Sequence, residues 1–419
     1  MKKQGWEKAF AAAGMVVFWL AFAGAVQAQT LNDLHYFSGP DGATPEAGLT
    51  IDAAGNLYGT TSAGGAGYGT VFKMSLKNGH WVINQLYSFA GGNDGDDPEA
   101  RVVFGPDGAL YGTTSEGGGA DAGTVFVLRP PLSSCKSALC PWNETVIYRF
   151  TGGLDGGDPE YGDLAFDKDG NIYGTASEGG AYDYGVVYKL TRSGNNWTQS
   201  VLYNFANNPD GATPLSGVIF DKTGNLYGTT QYGGGRAGCG TFGCGVVFQL
   251  TPSDSGWTET IIHAFKADQT EGNFPVGGLY IDSSGNLYGT TCYGGTTFGG
   301  TVFEMSPAGG GSWTFTLLNN GLPLYDGFIV AGPLGNLNMD SAGNLYGTTY
   351  GGGIYDGGTV FKLTPSNGQW TYTSLHDFED QQDGYYPYGT VVFDKAGNMY
   401  GTTEGAGGGV PGVVFQIVP

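Results

Sequence analysis

Two stretches of this chain gather carboxylates closely enough to bind or react: Asp94-Gly95-Asp96-Asp97 and Asp155-Gly156-Gly157-Asp158. Clustered Asp in a loop could supply several of the six to eight oxygens that calcium takes. Paired carboxylates could also cleave a glycosidic bond, but their separation is unreadable in a sequence. Neither spacing matches a known calcium loop, and the same turn recurs as Asp210-Gly211 and Asp383-Gly384 without the extra acids. Turn chemistry accounts for the pattern more simply, because Asp side chains bond nearby backbone amides. We therefore expect no cofactor and no metal, with Ca2+ kept as the lesser alternative.

Other reactive groups are few. His35, His263 and His376 fall where Tyr87, Tyr148 and Tyr203 stand in related segments, so they read as packing or surface substitutions rather than a metal triad; His80 precedes Trp81 in a turn. No Gly-x-Ser-x-Gly elbow and no His-Glu-x-x-His occurs. The glycine runs at 64–69, 117–123 and 405–409 lack the Lys-Ser/Thr and helix start that a phosphate cradle needs. No catalytic residue is assigned.

The elements that must position these groups follow from composition and repetition. Of 419 residues, 79 are Gly, 14% are aromatic and only 13% are charged. Aromatic richness with low charge excludes disorder, and so much Gly argues against helices. The motif Gly-Asn-Leu-Tyr-Gly-Thr-Thr recurs around Tyr58, Tyr111, Tyr173, Tyr227, Tyr288, Tyr346 and Tyr400, about every 56 residues. Each copy holds four short β-rich runs: a, apolar and ending in Asp, such as 49–52; b, such as 56–61; c, such as 69–74; and d, running from Trp to Phe, such as 81–89. Seven four-stranded units predict an all-β, seven-bladed propeller over residues 29–419. The last copy stops after strand c, whereas Leu34-His35-Tyr36-Phe37 is an orphan strand d. The N-terminal strand should therefore close the ring in the last blade.

In a four-stranded meander the b–c and d–a loops share one face. That face collects Asp94, Asp96, Asp97, Asp155 and Asp158 together with Tyr68, Tyr182, Tyr184, Tyr232, Tyr293, Tyr350 and Tyr355. These twelve residues are the expected ligand-binding set, because aromatic rings and carboxylates around a channel mouth suit sugar stacking and hydroxyl hydrogen bonds. The competing view is that the tyrosines only pack loop bases. Chemistry that is repeated rather than concentrated favours a secreted, non-enzymatic binding or scaffold protein with a glycan or protein ligand. The alternative is a carbohydrate-active or lactone-cleaving enzyme at the channel mouth.

Residues 1–28 read as a signal peptide: Lys2, Lys3 and Lys8, an uncharged run over 9–26, then Val26-Gln27-Ala28. Cleavage near Ala28 predicts a secreted or periplasmic protein with no membrane association afterwards and a monomeric state. The net charge is −21 and falls to −23 without the leader, which opposes nucleic acid as a partner. Cys135 with Cys140, and Cys239 with Cys244, are each spaced for a local disulfide in an oxidising compartment, and Cys292 is left over.

The repeats resemble the GloVer tandem repeat of bacterial "choice-of-anchor" proteins. The resemblance rests on Asp52-x-x-Gly55-Asn56-Leu57-Tyr58-Gly59-Thr60-Thr61, Gly64-Gly65 and Gly69-Thr70-Val71-Phe72-Lys73, and it covers essentially the whole mature chain. It implies export and, in some relatives, a C-terminal sorting anchor. Here nothing follows the last strand c, so cell-surface anchoring is not expected. The family supplies no catalytic residues. The Asp-x-x-Gly-Asn-Leu-Tyr turn is also similar to turns in sugar-lactonase and lyase propellers.

Overall fold

The computed structural model describes residues 29–131, 141–194, 196–235, 238–267, 270–322, 332–379 and 383–419, so the leader lies outside the described residues. Seven four-stranded antiparallel sheets form a seven-bladed propeller. Blade one contains Thr50–Ile51, Leu57–Thr61, Thr70–Lys77 and His80–Ser88 as strands a to d. Strand a is only two residues long in every blade, because a turn follows it at once, beginning at a recurring Asp in six copies and at Gly105 in the second.

That turn has a defined chemistry. Asp52 Oδ1 accepts the amides of Ala54 and Asn56, while Oδ2 accepts the Asn56 side chain and the Tyr58 hydroxyl at 2.7 and 3.1 Å. Partial burial pushes this carboxyl up, but the bonds from Asn56, its amide and Tyr58 outweigh it and hold the group below the usual range. The arrangement repeats at Asp167, Asp221, Asp282, Asp340 and Asp394. These recurring acids are structural.

Strands b and c are buried on both faces because each sheet is sandwiched between two others. The Phe that follows strand d packs on the strand c ring of the next blade, as Phe89 does on Phe126 at 5.1 Å, and in blade five Leu322 takes its place against Phe361. Each strand d Trp reaches back to the preceding blade's strand b Tyr, as Trp142 does to Tyr58 at 6.3 Å. Gly59 must be glycine, since a Cβ there would lie 2.6 Å from the Phe72 ring. Strand b also latches the neighbouring blade: the hydroxyls of Thr60, Thr175, Thr229, Thr348 and Thr402 donate to the carbonyls of Ala100, Ser216, Gly277, Gly389 and Ala47.

The ring closes as the sequence predicts. Thr30–Tyr36 pairs antiparallel with Val413–Val418, from Thr30 opposite Val418 to Tyr36 opposite Val413. Phe37 then packs on Phe72 of blade one at 5.3 Å, the contact that blades one to four and six make with their successors. The three histidines in the strand d slot bond as the tyrosines there do. Each reaches an acid of the following turn: His35 to Asp41, His263 to Glu271 and His376 to Asp383.

Two local disulfides are expected from the cysteine spacing, and the described residues contain one of them. Cys239 and Cys244 are bonded within the b–c loop of blade four. The other expected pair, Cys135 with Cys140, lies outside the described residues, so a bridge at Cys140 is not among the disulfides that the structure describes. Cys292 is a buried free thiol that burial pushes up to about 12. Closing so short a loop as 239–244 stabilises by about 2 kcal/mol or less. The Cys239→Ser variant should therefore keep the fold, with a melting temperature only a few degrees lower. Mass mapping without reduction should return the 239–244 loop peptide, and a 135–239 link would refute local pairing. Among the described residues no helix is long and apolar enough to cross a membrane.

Candidate functional site

The seven strands a converge on the axis, and residues of five of them line a common channel. Entry to strand a is set in six blades by a left-handed residue followed by proline: Thr44-Pro45, Asp97-Pro98, Asp158-Pro159, Thr213-Pro214, Phe274-Pro275 and Tyr386-Pro387 have this form. The blade six copy has Gly332-Pro333. The residue after each proline points the chain into the channel mouth. Around the ring it is Glu46, Glu99 and Glu160 in blades one to three, Leu215, Val276 and Leu334 in blades four to six, and Tyr388 in blade seven. One repeated position thus carries three acids on one side and three aliphatics on the other.

The aliphatic wall is a packed cluster of Leu215, Val276, Cys292 and Leu334 with Phe274, Tyr293, Tyr350 and Tyr388 against it. It opens on a cavity of about 530 Å³ that Glu160, Tyr161, Tyr232, Tyr293 and Tyr388 also line. The Tyr161 and Tyr388 rings lie 4.7 Å apart between the two walls. Tyr161 donates to Glu99 at 3.2 Å, Ser177 donates to Glu160 at 3.2 Å, and Tyr350 donates to Glu404 at 2.9 Å.

Burial, followed by the repulsion of neighbouring carboxylates, pushes the acids up. Glu46 rises to about 9 and shares a hydrogen bond with Glu99. Glu160 rises to about 8, and Asp97 and Asp158 to about 6. The charges bearing most on Glu46 are Glu99, Glu404 and Asp97, and none of these acids forms an ion pair among the described residues. The cation nearest the cluster is Arg101, and its charge is already taken: Asp163 lies 2.5 Å away and holds the guanidinium protonated against the pull of burial. Asp163 exists because the third copy is one residue longer between its proline and strand a than the first. The latches from blades two and five are missing, and the Thr113 and Thr290 hydroxyls stay buried without a partner.

The twelve residues singled out in sequence separate into groups. Asp94 and Asp155 secure their own turns, accepting the hydroxyls of Tyr87 and Tyr148 at 2.8 Å each. Asp96 pairs its backbone with Glu116 at the loop. Asp97 and Asp158 adjoin the glutamates. Tyr232 and Tyr293 line the cavity and Tyr350 backs its wall, stacked on Tyr386 at 4.5 Å. Tyr68, Tyr182, Tyr184 and Tyr355 are exposed on the loops outside it. Sequence reading missed Glu46, Glu99, Glu160, Tyr161 and Tyr388, and its premise of evenly repeated chemistry does not hold at the mouth. The available signal was the unequal residue after each proline. Among the described residues no group of three or more His, Cys, Asp or Glu is arranged to hold a metal ion.

The profile of the Gloeobacter/Verrucomicrobia repeat matches the chain three times, over residues 16–144, 138–332 and 236–419. The chain belongs to that repeat family. Each match to the Gloeobacter/Verrucomicrobia repeat runs over several blades. No curated protein matches the chain in sequence. Among solved structures it is similar to the polysaccharide lyase Uly1, at 13% identity over 89% of each chain with a TM-score of 0.50. An ulvan lyase bound to -[GlcA(1-4)Rha3S]- shares 10% identity over 92% of each chain, with a TM-score of 0.48. A Bacteroides uniformis protein put forward as a 6-phosphogluconolactonase shares 13% identity over 79% of this chain and 84% of its own, with a TM-score of 0.49. At such identities the likeness is one of fold.

Proposed function

We propose that this protein is a saccharide-binding propeller whose site is the two-walled cavity at the channel mouth. The observation that carries this reading is the unequal set of residues after the seven prolines, acids in three blades, aliphatics in three and Tyr388 in one, of which Glu160, Leu215, Val276, Leu334 and Tyr388 line the cavity. A pyranose ring has an apolar face and an edge of hydroxyls. Tyr161, Tyr232, Tyr388 and the Leu215–Val276–Leu334 wall suit the face, and Glu160, as acceptor or protonated donor, suits the edge. The cavity of about 530 Å³ lies in the range of small-molecule sites.

One observation favours cleavage over binding alone. Glu46 and Glu99 share a hydrogen bond, and burial keeps Glu46 protonated at neutral pH, the state a general acid needs. In that second reading the mouth of the channel is an active site for a glycoside or a lactone.

Titration with neutral and charged oligosaccharides by calorimetry tests the first reading. Tyr161→Ala and Tyr232→Ala should each weaken binding tenfold or more, about 1.4 kcal/mol, with unchanged melting temperature. An array of glycans without a hit, or full affinity in both variants, would remove it. Turnover of a glycoside or lactone that Glu46→Gln abolishes would instead establish the second.

A further inference from the structure

A smaller cavity of about 40 Å³ lies beneath the mouth, and Tyr161, Val276, Leu334 and Tyr388 are walls common to both. It has room for a group the size of a water molecule or an ammonium. Two acceptors on its wall lack partners: Glu46 Oε2, buried from solvent, and the Oγ1 of Thr390, a residue only 7% exposed. Glu99 lines it as well. Buried polar atoms are seldom left unbonded, so two orphaned oxygens facing one void mark a place for a donor.

We infer that the ligand of the mouth is an amino sugar, its primary ammonium seated in this small cavity among Glu46, Glu99 and Thr390 while its ring lies in the larger one. This inference rests on the saccharide-binding reading and narrows it. An ammonium offers three donors and a positive charge, matching three acceptors, two of which are carboxylates. A hydroxyl or an amide would satisfy the hydrogen bonds but leave the acids uncompensated. The neighbouring charges also favour a cation. Glu160, Asp97, Asp158 and Glu404 surround the pair, and Arg101, the cation in the lining, is neutralised by Asp163 at 2.5 Å. The upward displacement of Glu46 is what burial among carboxylates without a cation produces, and a bound ammonium would reverse it. An anionic sugar such as a uronate meets the opposite field.

The test uses the mature protein at about pH 6, where amines are protonated, and at moderate salt to screen attraction by the net charge. Trimers of glucosamine, N-acetylglucosamine, glucose and glucuronate are titrated separately. The glucosamine trimer should bind at least tenfold more tightly than either neutral trimer, and the glucuronate trimer should not bind. In Glu46→Gln and Thr390→Val this preference should fall below about threefold, and in Thr390→Val affinity for the neutral trimers should stay within about twofold. Equal affinity for amino and neutral trimers would overturn the inference and leave the saccharide reading standing, with water as the occupant of the small cavity. A preference that persists in both variants would also overturn it, assigning the effect to general surface charge. Failure of every trimer to bind would remove both readings together.

Discussion

Removing residues 29–38 should lower the melting temperature by more than about 10 °C and leave the protein prone to self-association. Those residues supply the outer strand of the seventh blade. The Thr30–Tyr36 ladder covers Val413–Val418, whose residues are largely buried, and the Phe37 amide bonds the Gly412 carbonyl at 3.0 Å. Phe37 is 2% exposed and joins Leu34 to the core between blades seven and one, with Leu49, Leu57, Phe72 and Val414. Deleting one buried Phe costs about 3–5 kcal/mol, and here a Phe, a Leu and a backbone ladder go together. A 1 kcal/mol loss moves the midpoint of a protein this large by about 1 °C, and the Phe, a Leu at about 2–5 kcal/mol and the ladder together exceed about 10 kcal/mol, so the fall exceeds about 10 °C. The bared edge of Val413–Val418 would then offer unpaired backbone to another copy. Phe37→Ala alone should cost about a third to a half of the effect. Scanning calorimetry and size-exclusion chromatography read both outcomes, and a truncated protein that melts within about 3 °C of the parent would show that the ring does not depend on this strand.

Ring closure was legible because repetition makes an absence visible: six copies own a strand d and the seventh borrows one. The same repetition hid the site. Asp94 and Asp155 are conspicuous in sequence because they stand in acidic clusters, yet each is bound to the tyrosine seven residues before it and serves its turn. Glu46 stands alone in sequence, Glu99 and Glu160 trail the acidic clusters by two residues, and the three look like instances of one repeat residue. Only the ring brings blades one, two and three side by side and sets them across from Leu215, Val276 and Leu334. Depth was unreadable too. A two-residue strand a gives no alternation from which to infer a face, so nothing in 45–52 announces that its entry lies at the axis. Tyr161 was masked by the one-residue insertion of its copy, which shifts it relative to Ala47 and Ala100. That insertion creates the Arg101–Asp163 pair, and with it the neutralised cation that leaves the glutamates uncompensated.

Those uncompensated acids make the second large prediction, on pH. The folded protein holds protons on Glu46 and Glu160 up to about 9 and 8, and on Asp97 and Asp158 up to about 6, whereas the unfolded chain releases them near the ordinary values of about 4. In the interval the native state binds more protons than the unfolded one, so stability falls as pH rises. The contribution is complete below about pH 4 and is lost progressively through about pH 9. Each unit of displacement is worth about 1.4 kcal/mol, and with solvent screening and shared protons we expect a total of at least about 2 kcal/mol between pH 5 and pH 9. The protein should therefore unfold at lower urea concentration at pH 9 than at pH 5, opposite to a protein held by ionised, salt-bridged carboxylates. General repulsion at high net charge acts in the same direction, so the decisive measurement is a difference between variants. Glu46→Gln keeps the shape of the side chain and cannot ionise. It should flatten the decline by about 1 kcal/mol or more across about pH 5 to pH 9, where the unfolded chain has released that proton and the native ring still holds it. Asp52→Asn affects a carboxyl displaced the other way by its hydrogen bonds; it should destabilise at pH 7 without flattening the alkaline decline. If Glu46→Gln declines as steeply as the parent, the buried glutamates are not the protons that the native ring retains, and the acidic wall must already be ionised and solvated at neutral pH.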